Sequence, residues 1–233
     1  MRLAATEYAR FLDVLRSLSP QDWALPTCNT GWDVRTLAGH VTGMTHMSAS
    51  LREQLSQVRA AKSRGGVFID ALTDEQVRRT ANLSTGALID QFAMLGPKAV
   101  RGRKRAPAFV RGRAMSDEQP INPPTEMERW TFGYLIDVIL TRDTWMHRSD
   151  IAEVTSKPMT LTAEHDGVLV RDVAAEWASR HGQACSLTLT GPAGGTWSWG
   201  SGGPSYELDA VQFARIVSGR GEGEGLLATR VPF

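Results

Sequence analysis

The chain has 233 residues, 42% of them hydrophobic and 22% charged, with 26 Lys and Arg against 25 Asp and Glu. A formal net charge of +1 gives no overall field for holding a polyanion or an anionic membrane, so nucleic-acid binding would need a local basic patch. The length accommodates one large domain or two small ones, and either can bury a core.

Tyr8, Phe11, Leu12, Leu15 and Leu18 share one stripe of residues 3–18, with Pro20 and Pro26 beyond. This spacing predicts an amphipathic first helix rather than the unbroken apolar run of a signal peptide. After the turn-rich PTCNTGW, Leu37, Val41, Met44, Leu51, Leu55 and Val58 keep helical spacing from residue 33 to 59. They predict one long second helix, closed by Gly65 and Gly66. Thr73-Asp-Glu-Gln76 has capping-box form and predicts a third helix through Val77, Leu88, Ile89, Phe92 and Leu95, stopped by Gly96-Pro97. Residues 98–124 read as an irregular loop in which seven residues are Lys or Arg. Thr125-Glu-Met-Glu128, a second capping box after Pro123-Pro124, predicts a fourth helix running to Val154. Four helices without a strand signal among them predict a four-helix bundle.

The pattern changes after Lys157-Pro158. A fifth helix is predicted over residues 162–181, with Val168, Leu169, Val173 and Trp177 inward. SLTLTG and GTWSWGSGG read as short alternating strands, YELDAVQFARIVSGR as a helix over residues 209–218, and residues 226–233 as compatible with an edge strand. The expected architecture is α+β: an all-helical domain over residues 1–157 and a small α+β domain over residues 158–233. No window approaches the ~18–20 apolar residues of a membrane span. Cys28 and Cys185 stand apart without a CxxC pair, which excludes a disulfide framework and a cysteine-rich zinc site and reads as cytoplasmic.

Helical arithmetic sorts the histidines. His40 lies three after Leu37 and four before Met44, so it points with the apolar stripe into the bundle, whereas His46 faces elsewhere. Asp143 and His147 are four apart and ~40° from each other on one face, in phase with Ile136 and Leu140. Together the three side chains make up the two-histidine, one-carboxylate ligand set of a catalytic metal site with an open position. The competing reading is a hydrogen-bonded core histidine at 40 and an ordinary i, i+4 pair at a helix surface. Asp150 admits two readings as well, an outer acceptor that fixes the imidazole tautomer of His147 or a carboxylate that solvates the helix end.

DWALPTCNTGWDVRTLAGHV, with its Trp, its PTC turn, GW-x-V and a closing His, resembles the N-terminal half of the mycothiol-dependent maleylpyruvate isomerase family, itself among the DinB-like four-helix metal proteins. RDTWMHRSDI is similar to that family's second motif, a carboxylate four before a His that is followed by Arg and then Asp. LTLTGPAGGTWSWG and FARIVSGRGEGEGLLATRVPF resemble the sterol-carrier-like domain appended to these proteins. The resemblance implies a DinB-like bundle followed by that domain, a divalent metal, zinc for preference, on His40, Asp143 and His147, and mycothiol as thiol cosubstrate. The better-known isomerases carry Glu where this chain has Asp143, one methylene shorter, which leaves open whether the carboxylate reaches the metal directly or through water.

A metal with an open position holds a thiol as thiolate at neutral pH, and the thiolate attacks an activated alkene or another soft electrophile. Neither Cys28 nor Cys185 matches the helix faces of the metal motif, so the thiol comes from the cosubstrate. Addition to a cis double bond, rotation and elimination give an isomerase; keeping the adduct gives an S-transferase. Arg220, flanked by glycines in Ser218-Gly-Arg-Gly221, is a candidate catalytic clamp for a substrate carboxylate, with a solvated turn arginine as the alternative. The expected partners are a small electrophile and mycothiol, with the chain a monomer or weak homodimer. A non-catalytic metal- or ligand-binding regulatory protein is the alternative, favoured by Asp143 in place of Glu.

Other signals carry less. KAVRGRKRAPAFVRGR holds a single aromatic residue, Phe109, so it offers no stacking platform for nucleic acid and reads as a surface loop. GRGEGEG lacks the G-x-G-x-x-G spacing, and TWSWG misses G-x-S-x-G at its first residue. Trp32, Trp130, Trp145 and Trp177 read as packing residues, and Trp197 with Trp199 share one strand face.

Overall fold

The apolar stripes of the N-terminal half close on one another in a computed structural model that describes residues 1–122 and 126–233. The described chain falls into two compact units, Met1–Pro158 and Met159–Phe233. In the first, α1 (Arg2–Ser17) and α2 (Val34–Ala49) are followed by α3 (Leu51–Arg64), α4 (Phe68–Thr80) and α5 (Thr85–Arg105). A single turn, α6 (Ala108–Arg111), precedes an antiparallel pair of short strands, β1 (Gln119–Asn122) and β2 (Glu126–Glu128). The chain then enters α7 (Phe132–Tyr134), a π-turn at Leu135–Ile139 and α8 (Leu140–Thr155).

Among the described residues, α1, α2, α5 and α8 form the four-helix bundle, closed around Phe11, Leu15, Leu37, Val41, Phe92 and Leu140. Helix α2 begins where the Asp33 carboxylate accepts the Thr36 amide at 2.7 Å, an N-cap that satisfies one of the orphan donors of the first turn. Gly39 and Gly43 let α4 approach α2 closely: a Cβ on them would meet Thr80 Oγ1 at 2.5 Å and Gln76 Cβ at 2.7 Å. The α3–α4 pair adds its own small core of Met47, Ala61, Ala71 and Leu72.

In the second unit, α9 (Asp166–His181) precedes β3 (Cys185–Thr190), β4 (Gly195–Trp199), β5 (Ser205–Asp209) and α10 (Ala210–Val217). The sheet order is β4-β3-β5, with β4 antiparallel and β5 parallel to β3; Leu187 faces Trp197 on one side and Tyr206 on the other. Cys185, Leu187 and Leu189 alternate inward along β3, as a half-buried strand requires. Trp177 is wholly buried, and its indole N–H donates to the Leu226 carbonyl at 2.9 Å. No described helix is long and apolar enough to cross a membrane.

The mixed helical and sheet architecture is the one expected, but several element boundaries differ, each for a local reason. The long second helix breaks at Ser50, which adopts an extended backbone and caps α3 by accepting the Glu53 amide at 3.3 Å. Its apparent apolar continuation is exposed, with Leu51 79% and Leu55 68% accessible. The third helix is two helices, α4 and α5, and Thr73–Gln76 lies inside α4. Pro97 does not stop α5, because Leu95, Ala99 and Arg103 are buried on either side of it and tertiary packing outweighs the lost backbone hydrogen bond. Of the residues read as a loop from 98 to 124, those up to Arg105 are helix and Gln119–Asn122 form β1. Thr125 and the Pro123-Pro124 pair lie outside the described residues, but Glu126–Glu128 is strand and the helix opens only at Phe132, where Thr131 caps it. The segment before α10 supplies the unforeseen strand β5, and residues 226–233 form no strand; Gly225–Ala228 is a 3₁₀ turn.

Candidate metal centre

Helix α2 carries His40 and helix α8 carries Asp143 and His147, and both helices turn these side chains into the bundle. His40 and His147 are 6% and 5% exposed, and the Asp143 side chain is 21% exposed. One ligand atom from each of the three lies within 4.8 Å of the other two. The His40 Nε2 atom is 3.6 Å from Asp143 Oδ2, and His147 Nε2 is 3.5 Å from Asp143 Oδ1. These separations exceed a direct N–H···O bond of about 2.7–3.2 Å. Each is as long as one edge of a tetrahedral site, where ligand bonds of about 2.0–2.2 Å put ligand atoms about 3.3–3.6 Å apart, and the two end on different oxygens of the Asp143 carboxylate. The donor set, two imidazoles and one carboxylate, fits a borderline divalent cation such as zinc.

The two imidazoles are supported differently. His147 Nδ1 lies 3.1 Å from Asp150 Oδ2, and Asp150 is fully buried. A buried carboxylate there accepts a hydrogen bond from Nδ1–H and leaves the Nε2 lone pair directed at the cluster. Asp150 is in turn held from the turn before α2: Cys28 Sγ–H donates to Oδ1 at 3.2 Å and the Asn29 side-chain Nδ2 donates to Oδ2 at 3.4 Å. That turn is shaped by Thr27, whose amide donates to the Trp32 carbonyl at 2.8 Å and whose hydroxyl donates to the same oxygen at 3.0 Å, and by Gly31 at φ 79°. His40 Nδ1, by contrast, is buried with no hydrogen-bond partner among the described residues. Trp32 packs against both rings, 5.4 Å from His40 and 6.3 Å from His147 between centroids. Behind α8, Arg148 donates to the Glu7 carboxylate of α1 at 2.7 and 3.1 Å, both residues being buried.

The structure brings together His40, Asp143 and His147, the three residues that helical phase turns inward, and Asp150 lies against His147 as an acceptor rather than solvating a helix end. Cys28, set aside because it matched neither helix face, reaches this outer layer through Asp150. Its neighbour Asn29 and the indole of Trp32 were not singled out as site residues; their only sequence signal is their place in the PTCNTGW turn. Arg220 belongs to the second unit, where its backbone N–H donates to the Arg215 carbonyl at 2.8 Å beyond α10, next to Gly219 at φ 94°.

A four-helix bundle with two histidines and a carboxylate converging between α2 and α8, followed by a small α+β unit, defines a bundle protein built around a metal-type ligand set. The sequence model for the mycothiol maleylpyruvate isomerase N-terminal domain matches residues 4–152, and the chain belongs to that family. Two solved structures share its fold over 94% of this chain and 88% of theirs. The crystal structure of the mycothiol-dependent maleylpyruvate isomerase is 15% identical with a TM-score of 0.58, and that of its histidine-to-alanine variant is 14% identical with a TM-score of 0.57. A sequence search of functionally curated proteins found no match.

Proposed function

We propose that this protein is a divalent-metal enzyme that uses mycothiol to act on a small electrophilic substrate, by cis–trans isomerisation or by S-transfer. The observation that carries the reading is the convergence of His40, Asp143 and His147 within 4.8 Å inside the bundle of a family named for such an isomerase. His40, Asp143 and His147 would hold a zinc-like cation, which would supply the positive charge that favours an ionised thiol at neutral pH. Asp150 fixes the tautomer of His147, and Trp32 covers one side of both imidazoles and limits access of water there. The Cys28 thiol is engaged with Asp150, which supports an external thiol as nucleophile. Arg220 is the proposed clamp for a substrate carboxylate, by a two-pronged guanidinium contact.

Metal analysis of the purified wild type and His147→Ala tests the first part: bound divalent metal in the wild type, lost in the variant, is expected. Equal and negligible metal in both would remove the site. Calorimetric titration of mycothiol into metal-loaded and metal-free protein tests the second, with binding expected in the loaded form alone. Asp143 in place of Glu favours one competing reading, a bundle that binds metal or ligand without turnover. Metal-dependent mycothiol binding without conversion of any maleyl or other cis-enoyl acid would support that alternative.

A further inference from the structure

The basic run that reads as a surface loop turns one of its arginines inward. Arg103, on α5, is 3% exposed and makes no ion pair among the described residues. Its guanidinium donates to neutral acceptors: Nε to the Ile136 carbonyl at 2.8 Å, Nη2 to Thr141 Oγ1 at 2.7 Å and Nη1 to the Tyr8 hydroxyl at 3.3 Å. A buried guanidinium with no acid beside it carries a desolvation cost that an apolar side chain would avoid. What it provides here is a rigid fork of donors at one backbone irregularity.

That irregularity is the π-turn Leu135–Ile139. The Leu140 amide donates to the Leu135 carbonyl, five residues back, and so is drawn away from Ile136, its acceptor in a regular α-helix. Arg103 Nε donates to that same Ile136 carbonyl, while Nη2 grips Thr141 just past the turn. Arg111 braces the arrangement, with Nη2 donating to the Arg103 carbonyl at 2.7 Å and an ion pair to Asp137 within the turn.

A π-turn holds one residue more than the α-turn it replaces, and one residue of helix is ~100° of rotation. With the bulge in place, Phe132 and Tyr134 before the turn pack against the cluster of Met115 and Trp130, while Asp143 beyond it faces His40. Without it, one of these two faces is out of phase. The far half of α8 is fixed independently by the Arg148–Glu7 pair, so a loosened bulge moves Asp143 before it moves His147. We infer that Arg103 is a positioning residue for the ligand cluster: by clamping the π-turn it sets the rotation of α8 that brings the Asp143 carboxylate to the two imidazoles. This rests on the metal reading of the cluster.

Zinc affinity by chelator competition and the visible absorption spectrum of the cobalt(II)-loaded protein test it. In Arg103→Met, affinity is expected to fall by about 10–100-fold, the range for lost outer support of a ligand, and the cobalt spectrum to change in the manner of Asp143→Ala rather than His147→Ala. Thr141→Val, which removes one acceptor and keeps the volume, should shift both readouts the same way by less. Glu75→Gln, which disturbs the α3–α4 pair, should change neither. Wild-type affinity and spectrum in Arg103→Met overturn the inference. If that variant does not fold, an unchanged Thr141→Val overturns it instead. Failure of the wild type to bind either metal removes the metal reading itself, a separate result.

Discussion

In the first unit Glu7, Arg103, Arg142, Arg148 and Asp150 all lie at 3% exposure or less, alongside His40 and His147. In the second unit the interior is Val173, Trp177, Leu187, Leu189, Phe213 and Val217, and its buried ionisable side chains among the described residues, aside from the Cys185 thiol, are His165 and Asp166 at the start of α9. Apolar burial stabilises in proportion to area whatever the detailed geometry, whereas a buried charge costs several kcal/mol unless its partners are well placed. Three of the charges retained in the bundle tie specific atoms of two elements together: Arg148 ties α8 to α1, Arg103 ties α5 to the π-turn, Asp150 ties the Cys28 turn to His147. The unit that gives up stability to bury charge is the unit in which the candidate site is assembled.

Two substitutions of similar size should separate the two designs. Phe213→Ala empties a fully buried position of the apolar unit and is expected to cost about 3–5 kcal/mol, read as faster hydrogen exchange in β3 and α10, with metal affinity unchanged. Glu7→Gln removes the carboxylate from the buried Arg148 guanidinium and is expected to cost about 3–5 kcal/mol, with protection lost in α1 and α8 and metal affinity reduced as well. A bundle whose metal affinity survives Glu7→Gln would show that its buried charge is independent of the site.

Smaller effects rank the layers around His147. Asp150→Asn keeps the shape but no longer stabilises the Nδ1 proton, and metal affinity is expected to fall by about 10–100-fold by chelator competition. Cys28→Ala removes one weak donor to Asp150 and should cost only about 0.5 kcal/mol, the low end for a hydrogen bond, a factor of about two in affinity. An effect of Cys28→Ala equal to that of Asp150→Asn would make the thiol, rather than the carboxylate, the decisive support.

What the residues disclosed about this site follows the reach of helical periodicity. His40 was legible because α2 runs unbroken from Val34 to Ala49, and Asp143 with His147 because they lie within one stretch of α8. Ile136, placed on the same stripe by counting, sits inside a π-turn whose extra residue leaves no composition signal. Cys28 and Asn29 escaped because a loop side chain takes its direction from tertiary hydrogen bonds, here those of Thr27 and Trp32. Ser50 and Pro97 failed in opposite senses: the first stops a helix without any breaker residue, the second is a breaker overruled by the packing around it. The basic run misled because charge in a sequence reads as surface, and only the fold reveals that Arg103 has its acceptors inside.

The smallest predicted contrast concerns acid, and it runs against expectation for a charge-rich bundle. In the first unit burial alone would raise the Glu75 carboxyl, but hydrogen bonds from Arg78 and Arg79 outweigh it and hold the group below the ordinary carboxylate range. A depressed carboxylate contributes stability that is present above its unfolded value of about 4.3 and is lost as pH falls through the native one. In the second unit His181 packs edge-on against Trp177, 4.4 Å between ring centroids, and burial lowers its affinity for a proton. Its neutral form is favoured on folding, so that contribution is complete above the unfolded value of about 6.5 and declines as pH falls below it. Hydrogen exchange between pH 7 and 4 should therefore show α9 and β3 of the apolar unit softening first, with the α3–α4 pair holding until the carboxylate range. His181→Gln should abolish the early change and leave the later one, and softening of the α3–α4 pair at pH 6 would reverse the assignment.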